Sequence, residues 1–155
     1  MALEVVILAA GKGTRMRSQK PKVLHEVAGQ PLLQHVLNTV KGINAKRVHV
    51  IYGHEGELVK KSFLDEKINW IEQIEQKGTG HAVLQALPFL EANNDVLILY
   101  ADVPLLSLLS LLSLIEKGSQ SALAVLTAHL DEPFGLGRIL YEKDSVVGIV
   151  EEKDA

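Results

Sequence analysis

The sequence predicts an α/β fold built on an open, mostly parallel sheet with helices on both faces. Three observations lead there. Val5-Val6-Ile7-Leu8-Ala9-Ala10 and Asp95-Val96-Leu97-Ile98-Leu99-Tyr100 are short, nearly continuous apolar runs. Runs of that kind belong to strands covered on both sides. Between such runs lie stretches of helical spacing, and the alternation of strand with helix implies crossover connections and parallel pairing.

Each element has its own signal. The first strand runs through Ala10 and stops at Gly11. Gly11 to Pro21 is glycine-rich and basic, and reads as a loop. Leu33, Val36, Leu37 and Val40 fall at helical spacing behind Pro31, a residue suited to an early helix position. Arg47 to Tyr52 is a second strand stopped by Gly53, and Gly56 to Leu64 a short helix. Asn69 to Gln73 reads as a third strand, with Trp70 and Ile71 inside. Ala82, Val83, Ala86 and Leu87 make another amphipathic helix, ended or kinked by Pro88. After the strand at Asp95–Tyr100 comes a leucine-rich helix reaching Lys117-Gly118, whose Leu105–Ser113 repeat reads as a buried helix. Ser121 to His129 is expected to be a further strand. Gly137 to Tyr141 and Ser145 to Val150 form a hairpin turned near Lys143-Asp144. No interdomain linker is visible, so residues 1–155 are expected to form one domain.

Composition excludes several classes of function. There are 155 residues, 47% hydrophobic and 23% charged, as in a globular protein with one core. There is no cysteine, hence no disulfide scaffold, thiol nucleophile or cysteine zinc site. The formal charge of −3 and pI near 6.1 argue against nucleic-acid binding through bulk positive charge. Aromatic residues are 5%, too few for base-stacking platforms. Glu4 stands where an export signal would be basic, and no apolar run approaches the roughly 20 residues that span a bilayer. The expectation is a cytoplasmic protein without nucleic-acid or membrane partners. The histidines at 25, 35, 49, 54, 81 and 129 form no pair at helical metal spacing, and none is assigned a catalytic role.

In an open sheet of this kind, ligands bind outside the carboxyl ends of the strands. Those ends are Ala10-Gly11, Gly53-His54, Gln73 and Ala101-Asp102. The loop at the first of them reads Leu8-Ala9-Ala10-Gly11-Lys12-Gly13-Thr14-Arg15-Met16, then Pro21-Lys22. It is not a P-loop, for it lacks Gly-Lys-Ser/Thr after four intervening residues. It is not a dinucleotide fingerprint either, since Met16 replaces the third glycine. Glycines that admit close backbone approach, with Lys12, Arg15 and Lys22 nearby, suit phosphate oxygens.

Leu-x-x-Gly-x-Gly-Thr-Arg-Met followed by Pro-Lys resembles the signature of the sugar-nucleotide pyrophosphorylases. The likeness continues through Val23-Leu24-His25, Ala28-Gly29, Tyr52-Gly53-His54 and Gln73 with Glu75-Gln76. It runs on through Gly78-Thr79-Gly80-His81-Ala82, Tyr100-Ala101-Asp102-Val103-Pro104, Gly135-Leu136-Gly137-Arg138-Ile139 and Gly148-Ile149-Val150-Glu151. Across nearly its whole length the chain is similar to the uridylyltransferase half of the bifunctional N-acetylglucosamine-1-phosphate uridyltransferases/glucosamine-1-phosphate acetyltransferases.

The resemblance implies a Rossmann-like sheet of the nucleotide-diphospho-sugar transferase type. It implies that UTP and N-acetylglucosamine 1-phosphate give UDP-N-acetylglucosamine and pyrophosphate, for the cell-envelope precursors of peptidoglycan and lipopolysaccharide. Arg15 and Lys22 would stabilise charge on the phosphates, and Gly11 and Gly13 would offer them N–H groups. Asp102 would hold Mg²⁺; its alternative role is a helix cap after the strand. Gln73, Gly78 and Thr79 would meet the uracil, with the backbone of Leu8, Ala9 and Ala10 beneath it. An amide that both donates and accepts suits that edge. Otherwise Gln73 is an exposed strand residue. Tyr100 and Ala101 would lie near the nucleotide. Gly137 and Glu151 would serve the sugar, unless Glu151 is one more solvated charge in Glu151-Glu152-Lys153-Asp154.

The family extends beyond a point equivalent to Ala155, with a second, asparagine Mg²⁺ ligand and then a long β-helix. No hexapeptide repeat of such a helix appears here. Neither acetyltransferase activity nor the trimer held by that β-helix is expected of this chain. Ala101 stands where the family usually has glycine, Phe134 and Leu136 flank Gly135 in place of small or aromatic residues, and Glu152 replaces a frequent histidine. Two other readings remain: a catalytically silent UTP-binding fragment, and a related nucleotidyltransferase acting on another sugar phosphate.

Overall fold

The computed structural model describes residues 2–11, 13, 16–18, 20–53, 56–64, 66–143 and 145–154. Its centre is a four-stranded sheet of β1 (Leu3–Ala9), β4 (Ala45–Tyr52), β5 (Asn69–Glu72) and β6 (Asp95–Tyr100), in the order β5-β4-β1-β6. All three pairings are parallel. The chain builds outward from β1 through β4 to β5, then returns to the other side of β1 for β6. The carboxyl ends of β1 and β6 therefore flank the point where the winding reverses, where such sheets hold ligands.

Helices cover both faces, as the apolar runs predict. One face presents Val5, Ile7, Ala9, Val50, Leu97 and Leu99. On it lie α1 (Leu32–Lys41), through Leu33, Val36, Leu37 and Val40, and α4 (Leu108–Ser119), through Leu111. α2 (Gly56–Lys61) adds Val59 to the same core. The opposite face, with Val6, Leu8, Ala10, Ile51 and Ile71, is covered by Ala82 and Ala86 of α3 (Thr79–Ala86). Burying each larger aliphatic side chain contributes roughly 1.5–3 kcal/mol, so β1, with Val5, Val6, Ile7 and Leu8 buried, anchors the layer stack. Pro88 sits in a 3₁₀ turn at Leu87–Phe89 that ends α3. Pro31 stands immediately before α1.

Two small antiparallel ladders lie outside this sheet. β2 (Glu26–Val27) and β3 (Gln30–Pro31) are joined by Ala28 and Gly29, both at positive φ, the conformation of a two-residue hairpin turn. The sequence gives no sign of this ladder beyond its Ala-Gly pair. β7 (Arg138–Glu142) and β8 (Ser145–Val150) form the expected hairpin.

Two expectations need correction. Ser121 to His129, expected as a strand, form none. A strand exists only where its N–H and C=O groups find a ladder. β6 pairs only with β1 in the described sheet, and Leu123, Val125, Leu126 and Leu130 remain exposed. The leucine-rich helix is buried along one stripe rather than all round. Leu111 is 1% exposed, whereas Leu109 is 79% exposed on the opposite side. Ser107 caps the helix by accepting from Ser110 N–H at 3.1 Å.

At the amino ends of the strands lies a buried polar cluster. Glu4 and His49 are fully buried. Glu4 accepts from His49 Nε2 at 2.8 Å, from the Glu91 N–H at 3.0 Å and from Asn94 Nδ2 at 2.8 Å. His49 Nδ1 accepts from Asn69 at 2.9 Å. One carboxylate thus ties β4, β5 and the turn before β6 to the start of β1. Burial pushes the Glu4 carboxyl up, but the donors of Glu91, Asn94 and His49 together outweigh it and hold the pKa at about 2.

At the other end, Gly53 lets β4 pass close to the first loop. A Cβ there would stand 2.8 Å from the Ala10 carbonyl oxygen and 3.0 Å from Gln76 Nε2.

Two outcomes follow. Glu4 has a depressed folded-state pKa, so its contribution to stability is complete above the ordinary value of 4.5 and is lost as pH falls toward about 2. Thermal unfolding at pH 6 and pH 3 should show a larger fall in Tm for the wild type than for Glu4→Gln. Gly53→Ala must displace the Ala10 carbonyl and should cost about 1–3 kcal/mol in urea unfolding.

Candidate active site

β1 delivers Leu8, Ala9 and Ala10 to the switch point. Gly13 is at φ +58°, and its carbonyl accepts from Met16 N–H at 2.8 Å. A Cβ on Gly13 would lie 2.9 Å from Lys22 Cβ. Glycine is therefore required twice there, for its backbone conformation and for the approach of Lys22. Lys22 opens a 3₁₀ turn, Lys22–Leu24, whose Val23 and Leu24 are buried in the core. That anchoring holds the Lys22 backbone while its ammonium group points across the cavity.

Asp102 comes from the end of β6. The N–H of Ala101 bonds to the Leu8 carbonyl at 3.0 Å, so the β1–β6 pairing continues to the edge of the site. Ala101 is fully buried, and Asp102 beyond it forms an ion pair with Lys22. Each of the two side chains is 32% exposed. Ser107, five residues later, is the cap of α4, which removes that alternative role for Asp102.

The third contribution comes after β5. Gln73 is 3% exposed, not an exposed strand residue. Its N–H donates to the Tyr52 carbonyl at 2.8 Å. Its side-chain Nε2 donates to the Gly78 carbonyl at 3.2 Å and to His81 Nδ1 at 3.0 Å. Both amide hydrogens are engaged inside the protein, so Gln73 offers the cavity an acceptor and not the donor–acceptor pair expected from the sequence. Gly78, at φ +102°, precedes the first residue of α3, Thr79. The amino end of that helix thus faces the same space, with the positive end of its dipole.

These three segments enclose a cavity of about 360 Å³. From the first strand and loop, Leu8, Ala9, Ala10, Gly11, Gly13 and Lys22 line it. Gln73, Gly78 and Thr79 line the second wall, and Tyr100 and Asp102 the third. Ala101 lies behind the surface. Gly137 and Glu151 do not line the cavity. They meet each other at the β7–β8 hairpin, where a Cβ on Gly137 would be 3.9 Å from Glu151 Oε2. Arg15 lies outside the described residues, as do Lys12, Thr14 and His54. Met16, Val23, Gln76 and Ala82 also line the wall and were not singled out from the sequence as site residues. Gln76 could have been found, since it stands in the same segment as Gln73 and donates to the Gln73 carbonyl at 3.1 Å. Nothing marks Met16, Val23 or Ala82 beyond an apolar side chain.

Among the described residues, no group of three or more His, Asp or Glu side chains could hold a metal ion. Asp102 is the one carboxylate on the wall of this cavity among them. A single carboxylate suits Mg²⁺, which commonly takes one or two carboxylates and completes its shell with phosphate and water oxygens. Among the described residues no helix is long and apolar enough to cross a membrane.

Solved structures of low sequence identity share this architecture. HddC from Yersinia pseudotuberculosis, complexed with GMP-PN, is 23% identical with a TM-score of 0.77, over 96% of this chain and 69% of that one. A UDP-glucose pyrophosphorylase complexed with UDP-glucose is 21% identical with a TM-score of 0.69, over 100% of this chain and 72% of that one. The Mycobacterium tuberculosis protein Rv0371c, in complex with manganese, is 16% identical with a TM-score of 0.66, over 77% of this chain. The chain spans 61% of the length of Rv0371c. These likenesses establish the fold as the nucleotide-diphospho-sugar transferase type. Residues 5–144 match the MobA-like NTP transferase domain, and with nine-tenths of its length so matched the chain belongs to that family.

Proposed function

We propose that this chain is the nucleotide-binding part of a nucleotidyltransferase that converts UTP and N-acetylglucosamine 1-phosphate into UDP-N-acetylglucosamine and pyrophosphate. The observation that carries the reading is the meeting of Lys22, Asp102 and Gln73, from three separate segments, around one cavity at the switch point of the sheet. Family membership and the sequence resemblance support it.

The chemistry asks for alignment and charge neutralisation. A phosphate oxygen of the sugar phosphate attacks the α-phosphorus of the nucleotide. The bond from that phosphorus to the bridging oxygen breaks, and pyrophosphate leaves with the electron pair. No protein nucleophile is needed. Gly11 and Gly13 leave room for the triphosphate to approach the backbone. The Lys22 ammonium stabilises charge on the phosphates, and Asp102 holds the divalent cation. Bound there, Mg²⁺ would neutralise phosphate charge as a Lewis acid. Lys22 and Asp102 neutralise each other in the ion pair. Binding a metal nucleotide exchanges that pair for two: Lys22 with phosphate, and Asp102 with the cation. Gln73, with its acceptor toward the cavity, suits a base edge that carries an N–H, as uracil does. Neither Gly137 nor Glu151 lines the cavity, which favours a second reading, a chain that binds UTP but does not transfer it.

The direct test is pyrophosphate release from UTP, N-acetylglucosamine 1-phosphate and Mg²⁺. Release that falls ~100-fold or more in Asp102→Ala supports the transferase. UTP binding without release supports the second reading. Neither binding nor release sinks both. A separate measurement addresses the ion pair. Lys22→Met should bind UTP about ten-fold more weakly, through loss of a charge-assisted contact. The same variant should bind Mn²⁺ alone more tightly than the wild type, because Asp102 is released from its partner; titration calorimetry reads both.

A further inference from the structure

We propose that His81 is a positioning residue for base selection, acting through Gln73 without touching the nucleotide. This rests on the reading of the cavity as a UTP site. The Gln73 backbone is held by its bond to Tyr52 and its side chain is almost wholly buried, so its main freedom is the orientation of the carboxamide. A carboxamide has two orientations of nearly the same shape, with donor and acceptor exchanged. The Gly78 carbonyl can only accept, so it favours Nε2 inward, but it satisfies one hydrogen of two. His81 Nδ1, 3.0 Å away, takes the other. That contact requires a lone pair on Nδ1, which places the proton of the neutral ring on Nε2. Gln85 Nε2 stands 3.4 Å from that nitrogen and donates to the His81 carbonyl at 3.2 Å, so it makes no claim on a lone pair there. With both hydrogens held, the carbonyl oxygen is what Gln73 shows to the cavity. No described residue donates to that oxygen.

The consequence is discrimination between two bases of the same size. Uracil carries an N–H at ring position 3, and cytosine carries a lone pair there. An acceptor facing the first gains a hydrogen bond; facing the second it meets repulsion. His81 does not line the cavity, and it belongs to α3, whose residues Ala82 and Ala86 pack on the sheet. It is thus a rigidly mounted acceptor behind the residue that meets the base. If His81 loses its acceptor, one Gln73 hydrogen is left unpaired, and the reversed amide becomes competitive.

The test compares UTP and CTP binding by calorimetry with Mg²⁺ in the full chain. The wild type should prefer UTP. His81→Leu should lose about ten-fold of that preference, the effect of one buried hydrogen bond. His81→Asn should keep it, since the asparagine oxygen can replace Nδ1 as acceptor. Nitrogen-15 NMR of the wild-type ring should find Nδ1 unprotonated. An unchanged UTP/CTP ratio in His81→Leu overturns the role of His81 and leaves the uridylyltransferase reading intact. A proton on Nδ1 overturns it too, and that measurement holds even if the leucine variant fails to fold. A wild type without UTP preference removes both the selection and the reading beneath it.

Discussion

The fold depends on the fastening of β1 at its amino end. At its amino end the buried Glu4 carboxylate gathers donors from His49, the Glu91 backbone and Asn94. Removing a charge from water is costly unless its hydrogen-bonding capacity is filled. The surrounding segments must therefore take positions that fill it, and those positions order β4 and β6 on either side of β1. At the carboxyl end the polar groups, Lys22 with Asp102 and Gln73 with Gly78 and His81, gather around an open space and not around a buried charge. There the strand gives way to glycines, to a close pass by Gly53, and to a cavity. A sheet locked at one end can leave the other open for a ligand.

The sheet was legible in the sequence because burial on two faces leaves a distinctive trace. Val5 to Ala10 and Asp95 to Tyr100 could be placed with little regard to the rest of the chain. Helix α1 was legible from four aliphatic positions and a proline. What failed was whatever depended on a partner. Ser121 to His129 have the composition of a strand, but strand formation is decided by a neighbouring ladder, which composition does not encode. The β2–β3 ladder is only two residues long on each side, too short to leave a period.

The site was legible in much the same measure. Glycines, Lys22 and Asp102 were expected near strand ends, and the topology brings them to one cavity. What could not be read was how the polar groups partner one another. That Lys22 and Asp102 pair, and that Gln73 uses both amide hydrogens internally, are facts of tertiary geometry between residues up to 80 positions apart. Gly137 and Glu151, whose sequence context resembles a sugar site, lie near one another at the β7–β8 hairpin and are not among the residues that line this cavity.

The outer strand β6 bears on how the chain behaves as a solute. Val96, Ile98 and Tyr100 are 39%, 43% and 49% exposed along one side of it, and its outward backbone groups form no ladder in the described sheet. Between Asp95 and Asp102 no charged residue interrupts this edge. Edges of that type recruit strands from other chains unless charges or covering elements deter them. Folding is a first-order process and edge-to-edge association a second-order one. The yield of native chain on refolding therefore falls with concentration even when the stability of the isolated molecule is unchanged.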